Sequence, residues 1–338
     1  MAAGDDIPAR KDTVLVVGAT GHVGSQVVRA LAAQGRPVRA MVRRPGDRVH
    51  GAPEHVTRVI GDLHDPGSLE RALDGVQVVV STANGIIPRK GTKGATQVNA
   101  AGAQHLVDAA ERAGIRRFVQ SSVPAHALDA VVPELRGKRA IEARLAEAPI
   151  ETVVVRNPAF TDVWLAMAGV ASAISPDPHA TVRRPYGFMR RYLAVVAGLT
   201  ERRGVLLAPG GPEHGAPLIT TRDVALLLAA CVDHPAAANQ TLEVGGPEWL
   251  SWRQIAALVG ERLGRRVRPV TLPAWAASLG RTILRPLAPS ASNVLGLTQL
   301  VATFQPRWHA SPWVARLGLP PQQTVGAYLD SLGRQGES

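Results

Sequence analysis

Residues 13–24 read TVLVVGATGHVG, and they decide the fold. The first part is a continuous apolar run that ends at a glycine. The stretch that follows, HVGSQVVRALAAQG at 22–35, carries Val23, Val27, Ala30 and Leu31 at helical spacing and stops at Gly35. The order is strand, turn, helix. Gly18, Gly21 and Gly24 recur at a spacing of three in the turn. A side chain there would hold the backbone away from a pyrophosphate, and a helix N-terminus offers unpaired N–H groups to an anion. Gly18, Thr20, Gly21, His22, Val23 and Gly24 are therefore expected to cradle a dinucleotide.

Working outward, PVRAMV (37–42), HVTRVIGD (55–62), VQVVVSTA (76–83), RRFVQSS (116–122) and ETVVVRNP (151–158) are five further strand candidates. Helical stretches such as VNAAGAQHLVDAAERAG (98–114) lie between them. Alternation of this kind implies right-handed crossovers and an α/β fold, a Rossmann-type doubly wound parallel sheet covered on both faces. After Phe160 prolines cluster, strands shorten and helices dominate. The expected organisation is a flexible N-terminus (1–12), a dinucleotide-binding domain (13–160) and a smaller, mostly helical substrate lobe (161–338). In that lobe VLLAPG (205–210), PLITT (217–221) and QTLEVGG (240–246) are expected to extend the first sheet. LSWRQIAALVGERLG (250–264) has Ser251 and Gln254 placed as a capping box.

Composition narrows the function classes. With 338 residues, 46% hydrophobic and 19% charged, the chain has the make-up of a globular protein able to bury a pocket. Cys231 is the only cysteine, which excludes an internal disulfide and points to a reducing, cytoplasmic compartment. The opening MAAGDDIPARKD is polar and acidic where a secretory signal is basic and then apolar. The longest uncharged run, Pro286 to Pro306, contains prolines, Ser, Asn, Gln and Thr and is expected to be a soluble helical segment. A net charge of +11 suggests an anionic partner, yet the basic residues form no Lys/Arg block with interleaved aromatics, so no nucleic-acid partner is expected. The basic set is 34 arginines and 4 lysines, which singles out each lysine, Lys138 among them. The histidines show no ligand spacing and no GxSxG elbow is present, so neither a metal nor a hydrolase is expected.

The second strand ends Met41-Val42-Arg43-Arg44, where a reader of a ribose 2′-hydroxyl would be acidic. Two guanidiniums suit a 2′-phosphate, which favours NADP(H) over NAD(H). Asp62 and Leu63, after the third strand, are expected to flank the adenine. Thr82, Ala83 and Asn84, after the fourth, are expected to approach the nicotinamide side.

VLVVGATGHVG, GDLHDPGSLERAL, VNAAGAQHLVDAAERAGIRRFVQSS, a lysine-bearing helix, VVVRNPAF, TRDVALLLAACVDHP and LEVGGPEWLSWRQI together resemble the NmrA-like group of atypical short-chain dehydrogenases/reductases over residues 13–265. In the superfamily's standard members a tyrosine donates a proton, and a lysine four places on holds the ribose. Here the matching pair is Glu134 and Lys138, and the first of three tyrosines is Tyr186. The matching serine falls on Ser122 or Val123, and Asn99 matches the helix asparagine. Glu134, Lys138, Ile141 and Leu145 share one apolar helical face, so Lys138 either lines a cavity, which a cofactor ribose edge fits, or snorkels out of the face. Lys138 itself, His126 or Glu134 remain as proton donors.

A positioned general acid contributes ~10² to 10⁴ in rate. A chain without the tyrosine gives that up on ordinary ketones and loses less on a quinone, a conjugated double bond or a cationic carbon. Asn157, Pro158, Phe160, Trp164, Tyr186 and Phe188 are expected to line the site for an apolar small molecule. Two other readings compete: a non-catalytic NADP(H) sensor, and an accessory or assembly protein at a respiratory membrane, where the basic surface would meet anionic lipid.

Overall fold

The computed structural model describes residues 11–83, 95–174, 180–183, 187–305 and 310–334. Most of the expected flexible N-terminus, together with Asn84 and Tyr186, lies outside the described residues. In chain order the elements are β1 (Val14–Val17), α1 (His22–Ala33), β2 (Val38–Val42), β3 (Thr57–Ile60), α2 (Pro66–Leu73), β4 (Val78–Ser81), α3 (Ala95–Arg112), β5 (Arg117–Ser122), α4 (Pro133–Ala146) and β6 (Glu151–Arg156). The second half adds α5 (Thr161–Met167), α6 (Gly187–Val196), α7 (Leu199–Arg203), β7 (Val205–Pro209), β8 (Gly215–Ala216), α8 (Thr221–Ala230), β9 (Gln240–Glu243), β10 (Leu250–Ser251), α9 (Trp252–Arg262) and β11 (Arg268–Leu272). It closes with α10 (Ala274–Leu284), α11 (Pro289–Thr303), α12 (Pro312–Arg316) and α13 (Val325–Arg334).

Seven parallel strands form the main sheet in the order β3-β2-β1-β4-β5-β6-β9. The strand order reverses between β1 and β4, which opens a crevice beyond their carboxyl ends. Side chains of β1 alternate between two cores. Val14 and Val16 join Val27, Leu31 and Leu228 on the face covered by α1 and α8. Leu15 and Val17 join Leu69, Leu106, Ile141 and Leu145 on the face covered by α2, α3 and α4. Both faces are therefore dry, which is why the strands read as unbroken apolar runs.

A third core, built around Trp252, Leu165, Leu206 and Ile255, organises the second half of the chain. Of the three strands expected to extend the main sheet, QTLEVGG supplies β9, paired with β6. The other two do not join. VLLAPG forms β7, which pairs in parallel with β11 in a separate two-stranded sheet, and PLITT contributes one bridge, Ile219 to Phe160. Leu206 and Ala208 of β7 are buried in the third core, so that strand is committed to the lobe. The Ser251–Gln254 capping box is formed in both directions. The uncharged Pro286–Pro306 run supplies α11. Among the described residues no helix is long and apolar enough to cross a membrane.

Candidate functional site

The glycine turn is built by close approach. Gly18 has φ +83°, and a Cβ there would come within 2.8 Å of Thr82 Oγ1 and 2.9 Å of the Ala83 nitrogen. A Cβ on Gly24 would stand 2.1 Å from the Gly18 carbonyl oxygen. Gly21 is the extended N-cap of α1; its amide donates to Gly18 O at 2.8 Å, and no side chain caps the helix. The first turn of α1 thus meets the crevice with main-chain N–H groups and the positive end of the helix dipole, the donor set a diphosphate needs. Thr20 and Val23 are half-buried on this turn. Thr82 donates its hydroxyl to Val17 O at 3.1 Å, so it props the turn from β4.

Around the turn, Arg43 and Arg44 are exposed at the end of β2, and the Arg44 amide donates to Asp47 Oδ2 at 3.1 Å. After β3, the Asp62 carboxylate accepts from the His64 amide at 3.0 Å, and the Asp62 amide donates to Ser68 Oγ at 2.9 Å. Leu63 is half-buried against α3, where a Cβ on Gly102 would lie 3.0 Å from its own Cβ. Ala83 is half-buried beside the turn. Asn99 falls in α3, but its side chain lies outside the described residues, as do Asn84 and Tyr186.

Helix α4 begins at Pro133, and its buried positions are Glu134, Leu135, Lys138, Ile141 and Leu145. Lys138 is 7% exposed, and its Nζ donates to the Ser121 carbonyl at 2.9 Å. Burial pushes the Lys138 ammonium below the ordinary lysine range; the charges of Glu134 and Glu142 oppose this, and Arg139 adds to it. Ser121 lies beside Asn157, with Oγ 3.4 Å from Asn157 Oδ1, while Asn157 donates through Nδ2 to Pro158 O at 3.3 Å. Lys138, Ser121 and Asn157 therefore meet at the carboxyl ends of β5 and β6.

Ser122 sits elsewhere. Its hydroxyl bonds the Glu142 carboxylate, which also holds Arg139 and Arg156 at 2.6 Å each. Strand alternation turns Ser121 and Ser122 to opposite faces, and that signal in RFVQSS is what singles out Ser121, a residue the sequence reading missed. His126 caps a short 3-10 turn, Ala127–Ala130: its Nδ1 accepts from the Leu128 amide at 3.1 Å. Its ring meets Phe304 edge-on at 5.5 Å, and burial lowers its pKa against the charge of Asp129.

Of the expected substrate wall, Pro158 and Phe160 are half-buried, Phe160 at the start of α5. Trp164 is buried in the third core. Phe188 stacks on Tyr192, with centroids 6.2 Å apart.

A second feature escaped the sequence reading: His22 and Asp162 form a buried pair, Nε2 to Oδ2 3.1 Å, with both side chains at 6% exposure or less. Thr221 donates to the same carboxylate at 3.4 Å, and Gln26 donates to Thr221 Oγ1 at 2.7 Å. Burial raises the Asp162 carboxyl, with His22 opposing. The pair joins the start of α1, at the glycine turn, to α5. No local pattern in the sequence marks it, because its partners are brought together across the fold.

The chain is 43% identical over 111 residues to sterol demethylase protein B of Methylococcus capsulatus, a match covering 32% of this chain and 34% of that protein. It is 28% identical over 259 residues to the NAD(P)H azoreductase of Xenophilus azovorans, covering 77% of each. The structure is similar to that of the NADPH-dependent quinone oxidoreductase of Escherichia coli in complex with NADPH, at TM-score 0.69 and 20% identity, covering 95% of this chain and 99% of that one. At that identity the likeness speaks for the fold. Residues 10–279 match the NmrA-like family, and the chain belongs to it.

Proposed function

We propose that this protein is an NADPH-dependent reductase whose acceptor is an apolar small molecule of quinone-like or otherwise conjugated structure. The carrying observation is the α4 pair: Glu134 stands where a tyrosine donor would precede Lys138, both side chains are buried, and Nζ is fixed on Ser121 O. The names of the azoreductase and quinone oxidoreductase relatives agree with such acceptors.

When bound, the dinucleotide supplies the hydride. The chain's own part is to hold and orient. Main-chain amides from Gly21 to Gly24 take the diphosphate, and Arg43 and Arg44 take the 2′-phosphate through charge-assisted bonds. Lys138 holds the ribose, its Nζ anchored on the Ser121 carbonyl beside Asn157. A missing general acid costs ~10² to 10⁴ in rate, roughly 3 to 5 kcal/mol. That cost falls on a substrate whose product is a localised alkoxide and spares one whose charge is delocalised.

The test is NADPH oxidation with a panel of quinones and azo compounds against an unconjugated ketone. Turnover confined to the conjugated acceptors is expected, and equal rates on the ketone would overturn the assignment. NADPH binding by calorimetry with no turnover on any acceptor would identify a nucleotide sensor instead.

A further inference from the structure

Helix α10 presents an apolar face that none of the described residues covers. Trp275, Leu279 and Ile283 recur every four residues and are 70%, 54% and 55% exposed, and Leu287, in the turn that follows, is 78% exposed. Val270 on the preceding strand β11 is 45% exposed. A side chain every four residues keeps to one face of a helix, so this is a stripe and not scatter. The opposite face of α10 is committed. Ala277 is buried, Ser292 of α11 donates to Arg281 O at 2.8 Å, and a Cβ on Gly280 would lie 3.0 Å from Leu295.

The segment that carries the stripe is charged with one sign. Between Glu261 and Asp330 the sequence contains no Asp or Glu, and although Arg262 is held by Asp330 at 2.9 Å, Arg265, Arg266, Arg268, Arg281 and Arg285 also lie in or beside β11 and α10. Arg265, Arg266, Arg268 and Arg285 are exposed. A second copy of this chain docking through the same face would set these arginines against their own counterparts without a carboxylate in the segment to neutralise them. An anionic bilayer surface supplies both things the face lacks, an apolar medium for the stripe and negative headgroups for the arginines. Trp at one end of the stripe and Arg285 near the other are residue types that settle at the headgroup boundary.

We propose that α10 is a membrane-surface docking helix that lies in the interface of an anionic lipid bilayer, with Trp275, Leu279, Ile283 and Leu287 toward the acyl chains. The docked face is one helix away from the candidate site. α11, packed beneath α10, accepts the Glu134 amide on Asn293 Oδ1 at 3.2 Å, and Gly296 lies against Val132 at the start of α4. That an apolar acceptor dissolved in the bilayer reaches Lys138 from there rests on the reductase assignment; the docking itself does not.

The test is flotation of the full chain with phosphatidylcholine vesicles, with and without phosphatidylglycerol. Co-flotation with the anionic vesicles, weak with phosphatidylcholine alone and reduced by salt, is the expected result. The triple variant Trp275→Ser/Leu279→Ser/Ile283→Ser is expected to lower partitioning about a hundredfold, and Arg285→Gln about fivefold. These side chains are exposed, so unchanged thermal melting and NADPH binding will show that the variants fold. Flotation of the triple variant like the wild type, or no preference for anionic vesicles, overturns the proposal. Light scattering that finds a lipid-free dimer dissociated by the triple variant also overturns it and assigns the face to a second copy. Since no acceptor is present, a failed reductase assignment leaves this result unaffected.

Discussion

Lys138 carries two opposing demands. Its stem lies on the buried side of α4, which favours the neutral amine, while a role on the ribose needs the ammonium. A lysine whose folded pKa is lowered keeps its cation below that value and loses it as pH rises through it. The kcat/KM of wild-type protein with NADPH is therefore expected to fall with rising pH before the ordinary lysine range near ~10.4 is reached. Lys138→Arg, which does not titrate there, is expected to remove that limb, and Lys138→Met to lower kcat/KM by ~10² or more at every pH. Steady-state rates across pH check both, and a limb retained by Lys138→Arg assigns it to another group. The face that carries Lys138 was legible from the offsets of Ile141 and Leu145. Alternation along RFVQSS separates the faces of Ser121 and Ser122, but which of them shares a neighbourhood with Asn157 and which meets Glu142 is set by the packing of β5 against β6 and α4.

At the scale of elements, the β1–α1 unit has the least freedom. The turn closes because the α1 backbone passes the Gly18 carbonyl with no side chain between them. Gly24→Ala puts a methyl 2.1 Å from that oxygen, closer than any real contact, so helix or turn must shift. The expected cost is about 1 to 3 kcal/mol in stability, with NADPH affinity reduced at least tenfold as the amides leave register. Denaturant melts and calorimetry measure the two effects. Wild-type affinity in a destabilised variant would show that Gly24 serves packing alone. This unit was readable in advance because everything that shapes it lies within one short segment. Strand β7 shows the converse: its composition is that of a sheet strand, and its partner, β11, is set by the burial of Leu206 and Ala208 in another core.

In the whole molecule, the His22–Asp162 pair ties the glycine turn at the start of α1 to α5, with Thr221 and Gln26 completing it. Asp162→Asn keeps the shape and removes the charge facing His22. Loss of a buried charged hydrogen bond costs about 1.5 to 3 kcal/mol, so the melting temperature is expected to fall by several degrees and the Kd for NADPH to rise. An unchanged melting curve would show that the pair does not hold the two halves together. What the sequence settled by itself was the alternation of strand and helix, the three-glycine turn, the basic end of β2 and the face of α4, since each is a matter of local geometry and short-range periodicity. Tertiary structure alone decided that, of the three strands expected to extend the sheet, β7 is not among its members, that Asp162 meets His22, and that no described residue covers the stripe on α10. These depend on which surfaces meet after the chain has crossed the molecule, and an apolar residue carries no mark of whether its partner will be a core or a solvent boundary.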